Sequence, residues 1–312
     1  MIPVDALQVL LDTIRRHYPI AQNAEVTLEA NPCNISHTFL KALLKIGINR
    51  ISIGVQSLDD RELKLLGRLH TSDEAKMAVH MAKKAGFGNI SVDLIYGIPE
   101  RPAKVWERML CEILKLGVQH VSLYGLTLEE NTPLFQRVEQ GELNPPDNDT
   151  AATEYETASA MLMQKAFRQY EISNWALSGY ESRHNTAYWL RMPYIGFGVA
   201  AHSFINGKRI ANTSILDEYL SCIAQGQQVP QTIETIVPDM AVAESIILGL
   251  RLNQGVSADD ILTQFGIDLY SSFAHPIEEC TSLGLLLRNE DTLCLTPRGR
   301  LLSNEVFWRF LP

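Results

Sequence analysis

A pattern repeated in the first 130 residues restricts the fold more than any other feature of the chain. Three helix-like stretches end in Lys-x-Gly, at residues 45–47, 84–86 and 115–117, and a cation followed by glycine suits a helix C-terminus. After each glycine comes a short segment that fits Gly-x-x-x-[Ile/Val]-Ser-[Ile/Val/Leu], namely INRISIGVQS, FGNISVDLIYG and VQHVSLYGLT. Their β-branched, two-sided apolar character predicts strands buried on both faces of a parallel sheet.

Amphipathic helices are predicted between these strands. VTLEANP at residues 26–32 predicts one more strand before the repeat, and residues typical of helix starts precede each helical stretch: Ser36, Asp59, Ser72 and Pro102. The order β-α-β-α-β-α-β predicts a parallel α/β barrel or open sheet, with any ligand at the carboxyl ends of the strands.

Polar side chains occupy those carboxyl ends, namely Glu29 with Asn31, Gln56, Asp93, and Tyr124 with Glu129. A loop or capping role explains any single one of them equally well, but it explains four consecutive strand ends less well. The first strand would also lie at an apolar edge, which natural proteins normally cover. Either a partner covers that edge or strands are missing before it.

Residues 182–204, SRHNTAYWLRMPYIGFGVAAHSF, are rich in histidine, aromatic and glycine residues. Beyond them we predict helices at 240–252, 258–265 and 272–283, a hairpin in LLLRNEDTLCLT and a last helix from Pro297. Helices with a hairpin suggest a DNA-binding module, but residues 231–312 hold eleven acidic residues, five arginines and no lysine. This charge argues against nucleic acid and favours a docking domain.

The net charge of −9 and the pI near 5.4 provide no general attraction to nucleic acid or to anionic membranes. No signal-like start and no apolar run long enough for a membrane span is found, so we expect a cytoplasmic protein. The five cysteines are expected to be reduced thiols, and none forms a CxxC group, so local spacing predicts no metal or cluster site.

Nine motifs together resemble the HemW branch of the oxygen-independent coproporphyrinogen III oxidase family: TLEANP, ISIGVQS, GRLH, VDLIYGIP, YGLTLEENTPL, YEISNWA, SRHNTAYW, YIGFGVAAHS and LTPRGRLLSNEVF. They occur in the family's order over essentially all 312 residues. The resemblance implies an α/β fold, a partial radical-SAM (β/α)6 barrel lacking its first two strands, plus a mainly helical C-terminal domain. We expect the barrel and haem-motif region at residues 1–215 and the HemN-type helical domain at 216–312.

In this family the first strand is followed by Cys-x3-Cys-x2-Cys, which binds a 4Fe-4S cluster, and the second ends in Gly-Gly-Thr-Pro, which binds S-adenosylmethionine. Neither motif occurs here. We therefore expect in-frame codons upstream of Met1 to encode both strands, and we expect the 312-residue chain alone not to hold a stoichiometric cluster.

The resemblance also assigns site residues. Glu29, Gln56, Arg68 and Asp93 match positions that contact S-adenosylmethionine, although a solvated helix-end cation is an equal alternative for Arg68 from its sequence context. His184, Asn185 and Tyr188 reproduce the His-Asn-x-x-Tyr motif associated with haem handling. His184 is the predicted ligand of the haem iron.

For His202, a structural histidine packed against glycines is at least as good an explanation as a functional one. Tyr188 and Trp189 are equally well explained as core aromatics or as a porphyrin wall.

The resemblance implies a haem-binding chaperone that delivers haem to a recipient haem protein. The alternative is an oxygen-independent coproporphyrinogen III oxidase, acting in a full-length form through a 4Fe-4S cluster and S-adenosylmethionine. A third hypothesis is an α/β scaffold or interaction protein without cofactor chemistry. Haem binding distinguishes the first from the third. The sequence leaves enzymatic activity and homodimer formation open.

Overall fold

The computed structural model describes residues 2–312, and the chain divides into two compact units, Met1–Glu181 and Ser182–Pro312. This division lies before the boundary at 215/216 expected above, which stays a prediction about domains.

The first unit has a six-stranded sheet and seven α-helices along residues 2–181. The strands are β1 Thr27–Ala30, β2 Arg50–Gln56, β3 Ile90–Tyr96, β4 His120–Gly125, β5 Arg168–Glu171 and β6 Asn174–Ala176. The helices are α1 Val4–His17, α2 His37–Ile46, α3 Asp60–Leu65, α4 Ser72–Ala85, α5 Ala103–Lys115, α6 Pro133–Glu139 and α7 Asn148–Met163.

The strand order in this sheet is β1-β2-β3-β4-β6-β5. β1 to β4 pair in parallel, as the repeat predicts, whereas β6 adds antiparallel to β4. The pair β5–β6 comes from the segment RQYEISNWA, whose strand pairing the sequence analysis did not predict. Among the described residues β1 pairs only with β2, so it is an edge strand.

The predicted helix starts agree with the structure, with one shift. Ser36 and Asp59 accept backbone hydrogen bonds as N-caps of α2 and α3, and Pro102 precedes α5. Ser72 was expected to precede the next helix, but α4 begins at Ser72 itself, because Thr71 is its N-cap and forms a capping box with Glu74. Gly47, which ends α2, takes the left-handed conformation that favours glycine.

The second unit has eight α-helices and two three-stranded sheets along residues 182–312. The helices are α8 Arg183–Trp189, α9 Leu216–Ala224, α10 Pro238–Arg251, α11 Ala258–Phe265, α12 Leu269–Ser272, α13 Ala274–Ser282, α14 Pro297–Leu301 and α15 Ser303–Phe307. The sheets are β7-β8-β9 and β10-β12-β11, with strands β7 His202–Ile205, β8 Lys208–Asn212, β9 Gln231–Thr235, β10 Val256–Ser257, β11 Leu286–Arg288 and β12 Thr292–Leu295.

One predicted helix of this unit is divided in the structure. The stretch 272–283 becomes α12 and α13, because Asp268 caps an earlier turn and Phe273 leaves the helical conformation. The ring of Phe273 packs 5.7 Å from that of Phe310. The hairpin of β11 and β12 is confirmed, and β10 adds a third strand to it.

A buried ion network joins three parts of the first unit. The guanidinium of Arg101 is enclosed by protein, donates from Nε and Nη2 to the two carboxylate oxygens of Glu62 at 2.8 Å each, and donates from Nη1 to Glu154 Oε2 at 3.0 Å. It also lies 4.7 Å from the ring of Trp106. Burial raises the pKa of Glu154, while the charge of Arg101 lowers it. This network fixes the loop after β3 against α3 and α7.

We expect Arg101→Met to lower the free energy of unfolding by about 3–5 kcal/mol at neutral pH, because two buried carboxylates lose their cation. The loss should be smaller near about pH 5, where carboxyl groups with a raised folded-state pKa take up protons on folding. Urea unfolding at both pH values measures this. Arg108→Met, at an exposed position of α5, is the control and should change stability by less than about 0.5 kcal/mol. Equal losses in both variants would contradict the network's role.

Candidate functional site

β2 is buried on both faces, as predicted, but only one of its faces is apolar, which corrects the expected two-sided apolar character. In β2, Ile51, Ile53 and Val55 alternate with Arg50, Ser52, Gly54 and Gln56, and all seven residues are buried. Register aligns Ser52 with Ser91 in β3, and Asp93 with Ser122 in β4. The serine of each repeat therefore lies on one polar face across three neighbouring strands, referred to below as the polar row. That recurring serine was the sequence signal for this row.

Asp93 is the centre of the polar row. The Ser52 hydroxyl donates to Asp93 Oδ1 and Oδ2 at 3.1 and 3.3 Å. Burial raises the pKa of Asp93 to about 6, hydrogen bonds from Ser122 and Ser52 act in the opposite direction, and the negative charge of Glu29 adds to the increase. The structure thus places Asp93 within electrostatic reach of Glu29, although Glu29 itself is exposed on the edge strand.

Tyr124, at the end of β4, joins the same group. Tyr124 is 45% exposed, but partial desolvation raises its pKa, as does the charge of Asp93. Glu129, in contrast, lies on an exposed loop where its carbonyl accepts from Thr132, so it is a turn residue in this structure.

His120 is a buried member of the polar row that the sequence did not single out as a site residue. Its Nδ1 lies 2.7 Å from Ser91 Oγ and its Nε2 lies 2.9 Å from the hydroxyl of Tyr170. Burial lowers the pKa of His120 to about 3, so the imidazole stays neutral at physiological pH. With both nitrogens bonded, His120 positions strands rather than presenting a free ligand.

Gln56 ends β2 in a left-handed backbone conformation, with φ of 64°, which is unfavourable for a residue other than glycine. A methyl group at Gly54 would lie 2.9 Å from Gln56 Nε2 and 3.6 Å from Asn31 Oδ1. Glycine at position 54 therefore leaves room for these two amides, and Gln56 and Asn31 meet at the carboxyl ends of β1 and β2.

Arg68 follows α3, and its backbone N–H donates to Leu63 O at 2.8 Å. Its Nε is buried without a hydrogen-bond partner among the described residues. A buried guanidinium nitrogen in this condition is costly unless a ligand or water completes it. No described contact joins Arg68 to Asp93 or Glu29.

The His-Asn-x-x-Tyr motif forms α8 in the second unit. Ser182 caps this helix by accepting from the Asn185 N–H at 3.2 Å, and His184 is exposed. Because residues four apart share a helix face, the rings of His184 and Tyr188 meet edge to face with centroids 4.6 Å apart. Tyr188 meets Tyr194 at 4.6 Å in the same manner. His184 thus stands at the exposed end of a row of aromatic rings.

His202 begins β7 and is exposed. A methyl group at Gly196 would lie 2.2 Å from His202 O, so the backbones of these two residues pack directly on each other. This contact explains the glycine before His202 in structural terms, and it involves the backbone of His202 rather than its imidazole.

The cysteines are dispersed: Cys33 and Cys111 are exposed, Cys280 is buried, and Cys222 and Cys294 are half-buried. Within residues 2–312, no group of three or more His, Cys, Asp or Glu side chains is placed to hold a metal ion. The described residues therefore do not fit a 4Fe-4S cluster, which needs several converging thiolates. Along the same residues, no helix has the length and apolar character needed to cross a membrane.

Comparison with known proteins agrees with this architecture. Residues 4–113 match the Radical SAM superfamily and residues 238–302 match the HemN C-terminal domain. The chain is 34% identical to the heme chaperone HemW of Bacillus subtilis, over 98% of this chain and 81% of that protein. It is 42% identical to the mitochondrial radical S-adenosyl methionine domain-containing protein 1 of Mus musculus, over 97% of this chain and 71% of that protein. The chain belongs to the HemW family.

Among solved structures, the coproporphyrinogen III oxidase HemN of Escherichia coli matches with a TM-score of 0.83, covering 99% of this chain and 74% of that protein. This TM-score shows a shared fold, whereas a sequence identity of 20% gives no support to a shared activity. The radical-SAM fold class and the HemW resemblance stated above are thus confirmed.

We expect Asp93→Asn to raise the free energy of unfolding at about pH 7.5 by about 1–3 kcal/mol, because the neutral amide avoids the penalty of a buried charge. The pKa of Asp93 is raised from 3.8 in the unfolded chain to about 6 in the folded chain. The neutral form of Asp93 therefore stabilises the folded chain fully below the unfolded-state pKa, and this stabilisation is lost as the pH rises through the folded-state pKa. The gain of the variant should therefore vanish near about pH 4 in urea unfolding.

The control for this measurement is Asp73→Asn, because Asp73 is fully solvated on α4. It should change stability by less than about 0.5 kcal/mol at either pH. Destabilisation of Asp93→Asn at neutral pH would contradict the buried-charge account.

Proposed function

We propose that this HemW-family chain is a haem-binding chaperone that delivers haem to a recipient haem protein. The observation that carries the proposal is the exposed His184 at the end of an aromatic row, on the helix formed by the His-Asn-x-x-Tyr motif. The relative from Bacillus subtilis is named as a heme chaperone, which supports the same conclusion.

His184 would bind haem through a ring nitrogen, and haem iron commonly takes a neutral imidazole as an axial ligand. The edge-to-face contact with Tyr188 restricts the orientation of the imidazole before a ligand arrives. Asn185 follows His184 and is half-buried. Its backbone N–H donates to the Ser182 hydroxyl in the helix cap, and we assign its side chain a supporting role. His202 is not needed as a ligand in this proposal.

The recipient would dock on the second unit, whose last 82 residues, 231–312, hold eleven acidic residues against five arginines. Such a surface favours a partner with a basic patch and disfavours nucleic acid. We further propose a cytoplasmic location, and homodimer formation stays open.

We also propose that Glu29, Gln56, Arg68 and Asp93 contact S-adenosylmethionine, as the resemblance implies. Support comes from the carboxylates of Glu29 in β1 and of Asp93 in the middle of β3, which interact electrostatically, and from the unpartnered Nε of Arg68. Carboxylates would accept from the amino or ribose hydroxyl groups, and the guanidinium would bind the methionine carboxylate. The described residues supply no cluster site, so no radical chemistry is derived for them.

Calorimetric titration with S-adenosylmethionine tests this second proposal. We expect weak binding to the parent chain, weakened further by about tenfold in Asp93→Asn, because a charged acceptor is replaced by a neutral amide. Asp73→Asn, at the exposed position on α4, should bind as the parent does. Equal affinity in the parent and Asp93→Asn would remove Asp93 from the proposed site.

We expect His184→Ala to weaken haem binding and to shift the Soret band, because the iron loses its imidazole ligand. His202→Ala, another exposed histidine in the same unit, is the matched control and should leave both unchanged. His120 is a poor control, because its buried ring bonds to Ser91 and Tyr170.

Circular dichroism and thermal melts must accompany the haem titration, since a point change often costs about 0.5–3 kcal/mol of stability. A folded His184→Ala chain that binds haem with the parent's affinity and spectrum would return His184 to a structural role.

A further inference from the structure

A cavity of about 590 Å³ lies beside α8 within the second unit. Aromatic rings line one part of it, those of Tyr188, Tyr194 and Phe204, and apolar side chains of α10 such as Ile247 and Leu248 line another. The ring centroids of Tyr194 and Phe204 are 6.4 Å apart, so they continue the row that starts at His184. The volume lies within the roughly 300–1,000 Å³ typical of small-molecule sites. The apolar lining suits a flat, hydrophobic molecule.

Two guanidinium groups also line this cavity, and both bind one carboxylate. Arg191 Nε lies 3.2 Å from Glu244 Oε2, and Arg209 forms a second ion pair with Glu244. Arg191 also lies over the ring of Phe204, with its guanidinium carbon 4.6 Å from the centroid. Burial lowers the pKa of Arg191, and the charge of Arg209 contributes to this decrease. Arg209 also pairs with Glu234 at 3.3 Å. Glu244 is therefore the carboxylate that the two cations share at this apolar wall.

The backbone at Arg191 adds an independent observation. Its φ of 52° lies in the left-handed region, where a residue other than glycine costs about 1 kcal/mol or more. Its N–H donates to Tyr188 O at 2.9 Å, so the turn after α8 is well defined. Strain of this kind concentrates at ligand sites, where the position of one side chain matters more than local stability.

We propose that this cavity binds the macrocycle of a dicarboxylic tetrapyrrole, and that Arg191 and Arg209 bind its two propionate groups in place of Glu244. The inference rests on the proposed haem-handling function and adds the part of the site that recognises the organic ring. The aromatic row would contact the macrocycle, while the guanidinium forks match carboxylates in geometry and charge.

Glu244 has a defined role in this site. It is half-buried and pairs with both arginines, while Glu234 supplies a second carboxylate to Arg209. A propionate must compete with it, so Glu244 lowers the affinity for the ligand. A carrier that hands its cargo to another protein needs such a limit on affinity, because release becomes slow when binding is too tight.

Fluorescence titration with metal-free protoporphyrin and with its dimethyl ester tests the proposal without iron. The parent chain should bind the diacid about tenfold more tightly than the ester, because only the diacid offers charged carboxylates. The double variant Arg191→Gln/Arg209→Gln should lose this preference. The control Arg288→Gln/Arg298→Gln removes two exposed arginines of the same unit and should keep it.

One single variant is expected to strengthen diacid binding rather than weaken it, an effect that misfolding would not produce. Glu244→Gln should bind the diacid about fivefold more tightly than the parent does, with the ester unchanged, since the competing anion is gone. The proposal is overturned if the parent does not prefer the diacid, if the double arginine variant retains the preference, or if Glu244→Gln weakens diacid binding.

These outcomes are separable from failure of the proposed haem function. The titration with metal-free protoporphyrin involves no iron, so its outcome does not depend on whether His184 is an iron ligand. If the diacid preference follows Arg191 and Arg209 while haem binding ignores His184, the cavity stands and the iron-ligand assignment fails. If haem binding requires His184 but no variant at Arg191, Arg209 or Glu244 alters the diacid preference, the iron-ligand assignment is supported and the proposed macrocycle site is wrong.

Discussion

The alternation of apolar and polar residues along parallel strands is the constraint on which the first unit depends. In β2, isoleucines and valine point to one side while Arg50, Ser52 and Gln56 point to the other. Because the parallel register aligns polar with polar positions, such as Ser52 with Ser91 and Asp93 with Ser122, the strands together build one polar face. A slip of one residue would exchange the two faces, burying charge under the helices. The pairing that builds the sheet therefore also builds the candidate site.

Much of this fold could be predicted because it rests on local signals. Lys-x-Gly helix ends and β-branched strands gave the four parallel strands, and Asp59 or Pro102 marked the helix starts. Features determined by tertiary contacts could not be found in this way. The antiparallel addition of β6 to β4 depends on long-range pairing, and the division at Phe273 depends on its packing against Phe310.

The candidate sites show the same difference. Asp93 and His184 were identified by their motifs. The groups with which they interact follow from simple geometry, because Ser52 lies on the neighbouring strand and Tyr188 one helical turn away. Arg101 and Arg191 were missed, because an arginine in a loop carries no periodic signal. Their significance comes from partners far along the chain, Glu154 and Glu244. Only the folded structure brings these opposite charges together.

The environment of Asp93 has a further consequence for any cationic ligand that binds beside β3. With a pKa of about 6, about one chain in ten carries the neutral acid at neutral pH, and about half do near the pKa itself. A positively charged group that binds the carboxylate form would expel that proton to the buffer. Binding and acidity are then thermodynamically linked, and the heat of association should vary with the ionisation enthalpy of the buffer. Binding of a cation beside Asp93 would thus be accompanied by proton release.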